Sequence, residues 1–213
     1  MTTKRPLVIL VADGTMKAVF QAFFRRTQYF STLQCAPFDF DPMTDVFNDP
    51  LHTDGGVCKR CDELLRGFQR THERALVVID QQFGGERPAV HVRDEMLNRL
   101  RLSGWSEGAV QVVVIDPELE VWLWQDNRNV QQALRYSGTL RQDLIGSGEW
   151  PQGTPKPLNP KDTMLQLIRR NRAGAPMAVY ASIASRVSVN GCTDSSFAVF
   201  RSTVQDWFPR EGA

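Results

Sequence analysis

The sequence predicts an α/β protein built on a mainly parallel sheet flanked by helices, with an all-helical C-terminal extension. Three observations predict it. Residues 7–12, 75–79 and 110–115 are short, continuous, β-branched-rich apolar runs bounded by polar residues, the pattern of strands covered on both faces. Between these runs apolar residues recur at helical spacing. From Gly146 to Pro160, three Gly and four Pro crowd into the fifteen residues GSGEWPQGTPKPLNP, and only helical patterns follow.

Taken in order, the first strand (7–12) leads into a helix whose apolar face is Met16, Val19, Phe20, Phe23 and Phe24. A weaker strand is expected at 32–36, ahead of a second helix marked by Val57, Cys61, Leu64, Leu65 and Phe68. The strand at 75–79 is followed by a helix carrying Val92, Met96, Leu97 and Leu100, and then by the strand at 110–115. The resulting β-α-β-α-β-α-β order implies right-handed crossovers and a parallel sheet. A helix is expected to begin at Pro117, with acids in its first turn, and another at 129–136. These observations divide the chain into an α/β domain at 1–145, a connecting loop at 146–160 and helices from 161 to 213 that pack back on the first domain. In the last part, 161–170, 176–187 and 192–208 carry helical spacing, with Phe197, Phe200, Val204 and Trp207 as the clearest stripe.

Composition excludes several classes of function. The 213 residues hold 25 Lys+Arg against 24 Asp+Glu, a net charge of +1 that fits neither a polycationic coat nor an acidic tail. No apolar run is long enough for a transmembrane helix or shaped like a secretory signal, so a cytoplasmic protein without membrane contact is expected. Four cysteines are too few for a disulfide framework at this length and are expected to be reduced.

Chemistry is expected at the carboxyl ends of the strands, where open α/β sheets bind ligands. Asp13 follows the first strand, Asp80 closes the third, and Asp116 closes the fourth with Glu118 and Glu120 just behind it. Carboxylates converging from separate strand ends suit a hard cation such as Mg²⁺. Asp13, before Gly14-Thr15, has an equally good reading as a helix cap. Asp80 is followed by Gln81-Gln82-Phe83-Gly84-Gly85 instead of a tight helix start, which favours a site lining. Glu118 and Glu120 stand two apart and cannot share a helix face; with Glu120 in the pocket, Glu118 is expected to be a surface acid.

Asp13-Gly14-Thr15, Asp80 and Pro117-Glu118-Leu119-Glu120-Val121-Trp122, together with Gly104-Trp105, Lys156-Pro157, Pro160-Lys161 and the stretch from Cys192 to Trp207-Phe208-Pro209, resemble a TOPRIM-like (Rossmann-like) family of bacterial proteins. Within it the likeness is to members of methylation-associated antiphage defence systems, and it extends over nearly the whole chain. TOPRIM domains place a Glu after strand one and Asp-x-Asp after strand three to hold Mg²⁺ for phosphodiester chemistry. By this resemblance Asp13 stands in place of the Glu, Asp80 is the first Asp, and Gln82 replaces the second, which lowers the expected metal affinity. The resemblance implies Mg²⁺-dependent attack of water on a phosphodiester, with Asp13 and Asp80 as ligands, Glu120 as a further ligand or base, and Glu118 as a possible compensating ligand. The alternative is an interaction or sensor subunit that keeps the fold without the chemistry. Other defence-system proteins, and nucleic acid, are the expected partners.

Other patterns carry less. Cys58 and Cys61 form a single Cys-x-x-Cys, with His52 and Cys35 as conceivable further ligands, but Cys61 falls on an apolar helix stripe and no second pair exists. His72 and His91 are expected to be ordinary helix residues, and no Gly-x-x-x-x-Gly-Lys loop is present. Trp122 and Trp124 are expected in the core or a subunit contact. Residues 150–172 hold Lys156, Lys161, Arg169, Arg170 and Arg172 against Asp162, either a solvated surface or a phosphate-neutralising one.

Overall fold

The computed structural model describes residues 3–51, 53–82 and 87–210. Gly84-Gly85 and His52 lie outside the described residues. Four strands, β1 (Arg5–Val11), β2 (Val46–Phe47), β3 (His72–Asp80) and β4 (Val110–Ile115), form one sheet in the order β2-β1-β3-β4. Every pairing is parallel, with Val11 opposite Val78 and Asp80 opposite Ile115. The protein is therefore α/β, with a four-stranded all-parallel sheet flanked by helices, consistent with a Rossmann-like arrangement.

The strands form where the apolar runs dictate, because their side chains are buried on both faces: Leu7 to Val11 and Ala75 to Ile79 are wholly inaccessible. The chain leaves β1 toward β2 on one side and enters β3 on the other, so strand order reverses between β1 and β3. The helices α1 (Gly14–Phe24), α2 (Tyr29–Leu33), α3 (Asp54–Leu65) and α4 (Ala89–Leu102) connect the strands. Right-handed crossovers set α1 on one face and α3 with α4 on the other. Beyond β4 follow α5 (Glu120–Leu123), α6 (Arg128–Ala133), α7 (Leu140–Gly146), α8 (Pro160–Arg170), α9 (Pro176–Ala184) and α10 (Ser195–Trp207). The helix α9 lies along α1, and α10 covers β4. Phe200 of α10 meets Phe20 of α1 edge-on at 5.8 Å and stacks on Trp122 at 5.6 Å, continuing one apolar core from the sheet into the C-terminal helices.

Away from the strand-end acids, the structure corrects four sequence expectations. Residues 32–36 are not a strand: Tyr29–Leu33 is the short helix α2, closed by Gln34 in the left-handed conformation, and the edge strand is Val46–Phe47. The helix after β4 starts at Glu120 and not at Pro117, because the Pro117 carbonyl accepts the Gln81 and Gln82 N–H groups leaving β3. His72 is not helical: it opens β3, buried, with Nε2 3.4 Å from Asp45. The Arg5 guanidinium donates to both Asp45 oxygens, at 2.6 and 2.5 Å, and holds that buried carboxyl below its usual range against the opposing effect of burial. The fourth correction concerns Lys156, which is half-buried and donates to the Val121 carbonyl, removing it from the basic surface. Trp122 and Trp124 are core residues, their indole N–H groups bonded to Ser196 (2.8 Å) and to the Pro160 carbonyl (2.7 Å). Cys35, Cys58 and Cys61 are buried free thiols, and burial pushes Cys61 up to about 12. No helix among the described residues is long and apolar enough to cross a membrane.

Candidate functional site

The reversal of strand order between β1 and β3 leaves a crevice at their carboxyl ends, the place where α/β sheets bind ligands. There a cleft of about 160 Å³ is lined by Asp13, Thr15, Asp80, Glu120, Lys161 and Tyr180 among others. Three of the five acids that the sequence singled out, Asp13, Asp80 and Glu120, face it, whereas Asp116 is exposed and borders a separate cleft with Ser195 and Ser196. The fifth, Glu118, lines an adjoining cleft of about 340 Å³ with Gln82, Asn159 and Lys161. Lys161 belongs to this cleft and to the first.

Each side chain is placed by the start or end of an element. Asp80 is the last residue of β3, in register with Ile115. Asp13 is the N-cap of α1, its Oδ1 accepting from Met16 N at 2.8 Å, so the capping reading holds for one oxygen while the residue also lines the cleft. Glu120 opens α5, and Lys161 stands in the first turn of α8 behind Pro160. Asp54, the first residue of α3, accepts the Asp80 backbone N–H at 2.7 Å and locks the end of β3 to the start of that helix. The sequence reading did not single out Asp54; its only local signal was an acid at a helix start after Thr53.

The acids differ in how well they are neutralised. Glu118 is 8% exposed, so it is not the surface acid expected from its spacing. It forms an ion pair with Lys161 and receives the Gln82 amide nitrogen, 3.1 Å from Oε2 in the orientation that the network requires. Glu120 is 4% exposed and accepts the Tyr180 hydroxyl at 2.9 Å. Burial pushes the Glu120 carboxyl above its usual range, and burial together with Glu120 pushes the Tyr180 phenol up. Lys161 is held above its ordinary value: burial opposes the charge, but Glu118 bonds to it and Glu120 and Asp80 lie near.

Asp80 is the exception. Its Oδ1 is buried and has no hydrogen-bond partner. Burial first, and then Asp54, Glu120, Glu118 and Asp13, push this carboxyl up to about 8. Burying a carboxylate without a compensating group is strongly unfavourable, so the isolated chain keeps it protonated at neutral pH. Among the described residues no three His, Cys, Asp or Glu side chains converge closely enough to form a ready-made metal cage. The site thus offers two carboxyl-bearing strand ends, Asp80 and Asp13, beside an ion pair and a tyrosine-held glutamate. The chain matches no protein-family model, no curated protein and no solved structure.

Proposed function

We propose that the strand-end cleft takes a hydrated divalent cation, Mg²⁺ or Mn²⁺, through Asp80 and Asp13 and acts on a phosphodiester of nucleic acid. The observation that carries this reading is the buried, unpartnered Oδ1 of Asp80 among four further carboxylates. A hard cation is the natural complement of such an atom, and Mg²⁺ retains several waters and requires only one or two protein carboxylates. The absence of a three-acid cage among the described residues is therefore compatible with it. When bound, the cation supplies charge stabilisation to the phosphoryl oxygens and acidifies a water. The chain's own residues do the rest. Tyr180 fixes Glu120 through one oxygen, which orients the carboxylate to take the proton of the attacking water. Lys161, exposed on its far side and shared by the two clefts, meets the entering phosphate in exchange for Glu118.

An interaction or sensor subunit without catalysis is the second reading. It is favoured by Gln82, which binds Glu118 where the resemblance expects a second acid. The antiphage setting is supported by the sequence resemblance alone. Incubation of the chain with end-labelled DNA and RNA in Mg²⁺ or Mn²⁺ separates the two readings. Cleavage that falls at least 100-fold in Asp80→Asn and in Glu120→Gln supports the enzyme, in line with the usual contribution of a general base. Cation binding without cleavage supports the sensor. A phage-plating assay on cells with the complete system and Asp80→Asn tests the defence role: lost protection supports it, and full protection argues against a role for the site.

A further inference from the structure

The helices α6 and α8 both end in Schellman motifs. Tyr136 N bonds Gln131 O, and Ala173 N bonds Ile168 O, each at 3.0 Å. In such motifs the residue after the cap takes the left-handed conformation, and Gly or Asn is the usual occupant. Here both positions are arginine: Arg135 at φ 49° and Arg172 at φ 50°. The two ends are tied together, since Arg135 Nη1 donates to Arg172 O at 3.1 Å and Asn171 Nδ2 donates to Leu134 O at 2.9 Å. Arg169 and Arg170 occupy the last turn of α8, with the Arg170 guanidinium over the Tyr136 ring at 5.7 Å. The junction therefore gathers Arg135, Arg169, Arg170 and Arg172, all exposed.

Among the described residues, none of these four arginines forms a salt bridge. The carboxylate bound at the junction, Asp143, accepts the Tyr136 hydroxyl at 2.8 Å instead. The favourable interaction of cations with helix carboxyl ends accounts for Arg169 and Arg170. It does not account for arginine at two strained positions that glycine fills without cost. In a chain of net charge +1, four guanidiniums without an ion pair at one junction, against the single carboxylate of Asp143, make a locally positive surface. Guanidiniums bind phosphate in a bidentate fork that lysine cannot reproduce.

We propose that the junction of α6 and α8 is a docking face for the phosphodiester backbone of nucleic acid. Arg170 stands nine positions beyond Lys161 in α8, about 14 Å at the helical rise, a distance spanned by a few nucleotides. Docking does not depend on the cation site; only the assignment of the docked strand as substrate rests on the proposed function.

The test is fluorescence anisotropy of a fluorescein-labelled single-stranded 20-mer DNA with the full chain in EDTA. Four phosphate contacts on a single strand give an expected loss of affinity of roughly 50-fold between 50 and 200 mM salt. Arg169→Glu/Arg170→Glu is expected to weaken binding at least 30-fold. Arg172→Gly is the variant that a structural role cannot mimic: it is expected to raise Tm by relieving the left-handed arginine while weakening binding several-fold. Arg169→Ala/Arg170→Ala is expected to bind Mg²⁺ in isothermal titration as the wild type does, so failure at this face is read separately from failure at the cleft. Binding that is salt-insensitive, or unchanged in the charge-reversal variant, overturns the proposal. So does competition by phosphatidylserine vesicles at equal affinity, which assigns the face to acidic membrane.

Discussion

At Asp80 the metal-free chain carries a carboxyl that folding makes harder to ionise. Its pKa rises from 3.8 to about 8, chiefly through burial and then through Asp54 and the neighbouring acids. The folded state thus holds a proton that the unfolded chain gives up, and the stability linked to this group is full below pH 3.8 and is lost as pH rises to about 8. Thermal melts in EDTA from pH 4 to 9 are expected to show the advantage of Asp80→Asn over wild type growing across that window and levelling above it. A constant difference would mean that Asp80 is solvated or already neutralised. Asp13 and Asp80 were legible in the sequence because a polar residue directly after a buried run must sit at the strand end. Asp54 was not, because the bond that joins it to Asp80 crosses 26 residues and no spacing announces it. The same holds for Lys161 and Glu118, 43 residues apart.

The long elements were legible, and of the short ones α6, expected at 129–136, was legible while β2, α2 and α7 were not. Strands β1, β3 and β4 and the helices α1, α3 and α4 are read from periodicity because each buries a long apolar run or stripe. The strand β2 has two residues, too few for any period, and α2 was mistaken for it because Thr32 and Leu33 look β-prone outside the turn that Tyr29 and Phe30 begin. At this scale α10 is decisive. Phe200 is 2% exposed, touches the Phe20, Trp122 and Phe197 rings, and borders an apolar cavity of about 40 Å³. Phe200→Ala enlarges that cavity and is expected to cost about 3–5 kcal/mol in urea unfolding. A loss below about 1 kcal/mol would show that α10 contributes little to the core.

At the scale of the whole molecule, sheet topology, charge and site coincide. The strand order β2-β1-β3-β4 puts its reversal between the two strands that end beside Asp13 and Asp80. Four helices, α1, α3, α5 and α8, begin at or next to Asp13, Asp54, Glu120 and Lys161, so their positive ends converge where the acids gather. That convergence tolerates the crowded carboxyls but leaves Asp80 Oδ1 without a partner. The central claim, that a divalent cation is the missing partner, is tested most directly by isothermal titration of the EDTA-treated chain with Mg²⁺ and with Mn²⁺ at pH 7 in two buffers of different ionisation enthalpy. The expected result is one site per chain, release of up to one proton as the cation displaces the one held by Asp80, and loss of both signals in Asp80→Asn. Equal binding by wild type and Asp80→Asn, or no saturable binding of either cation, would contradict it.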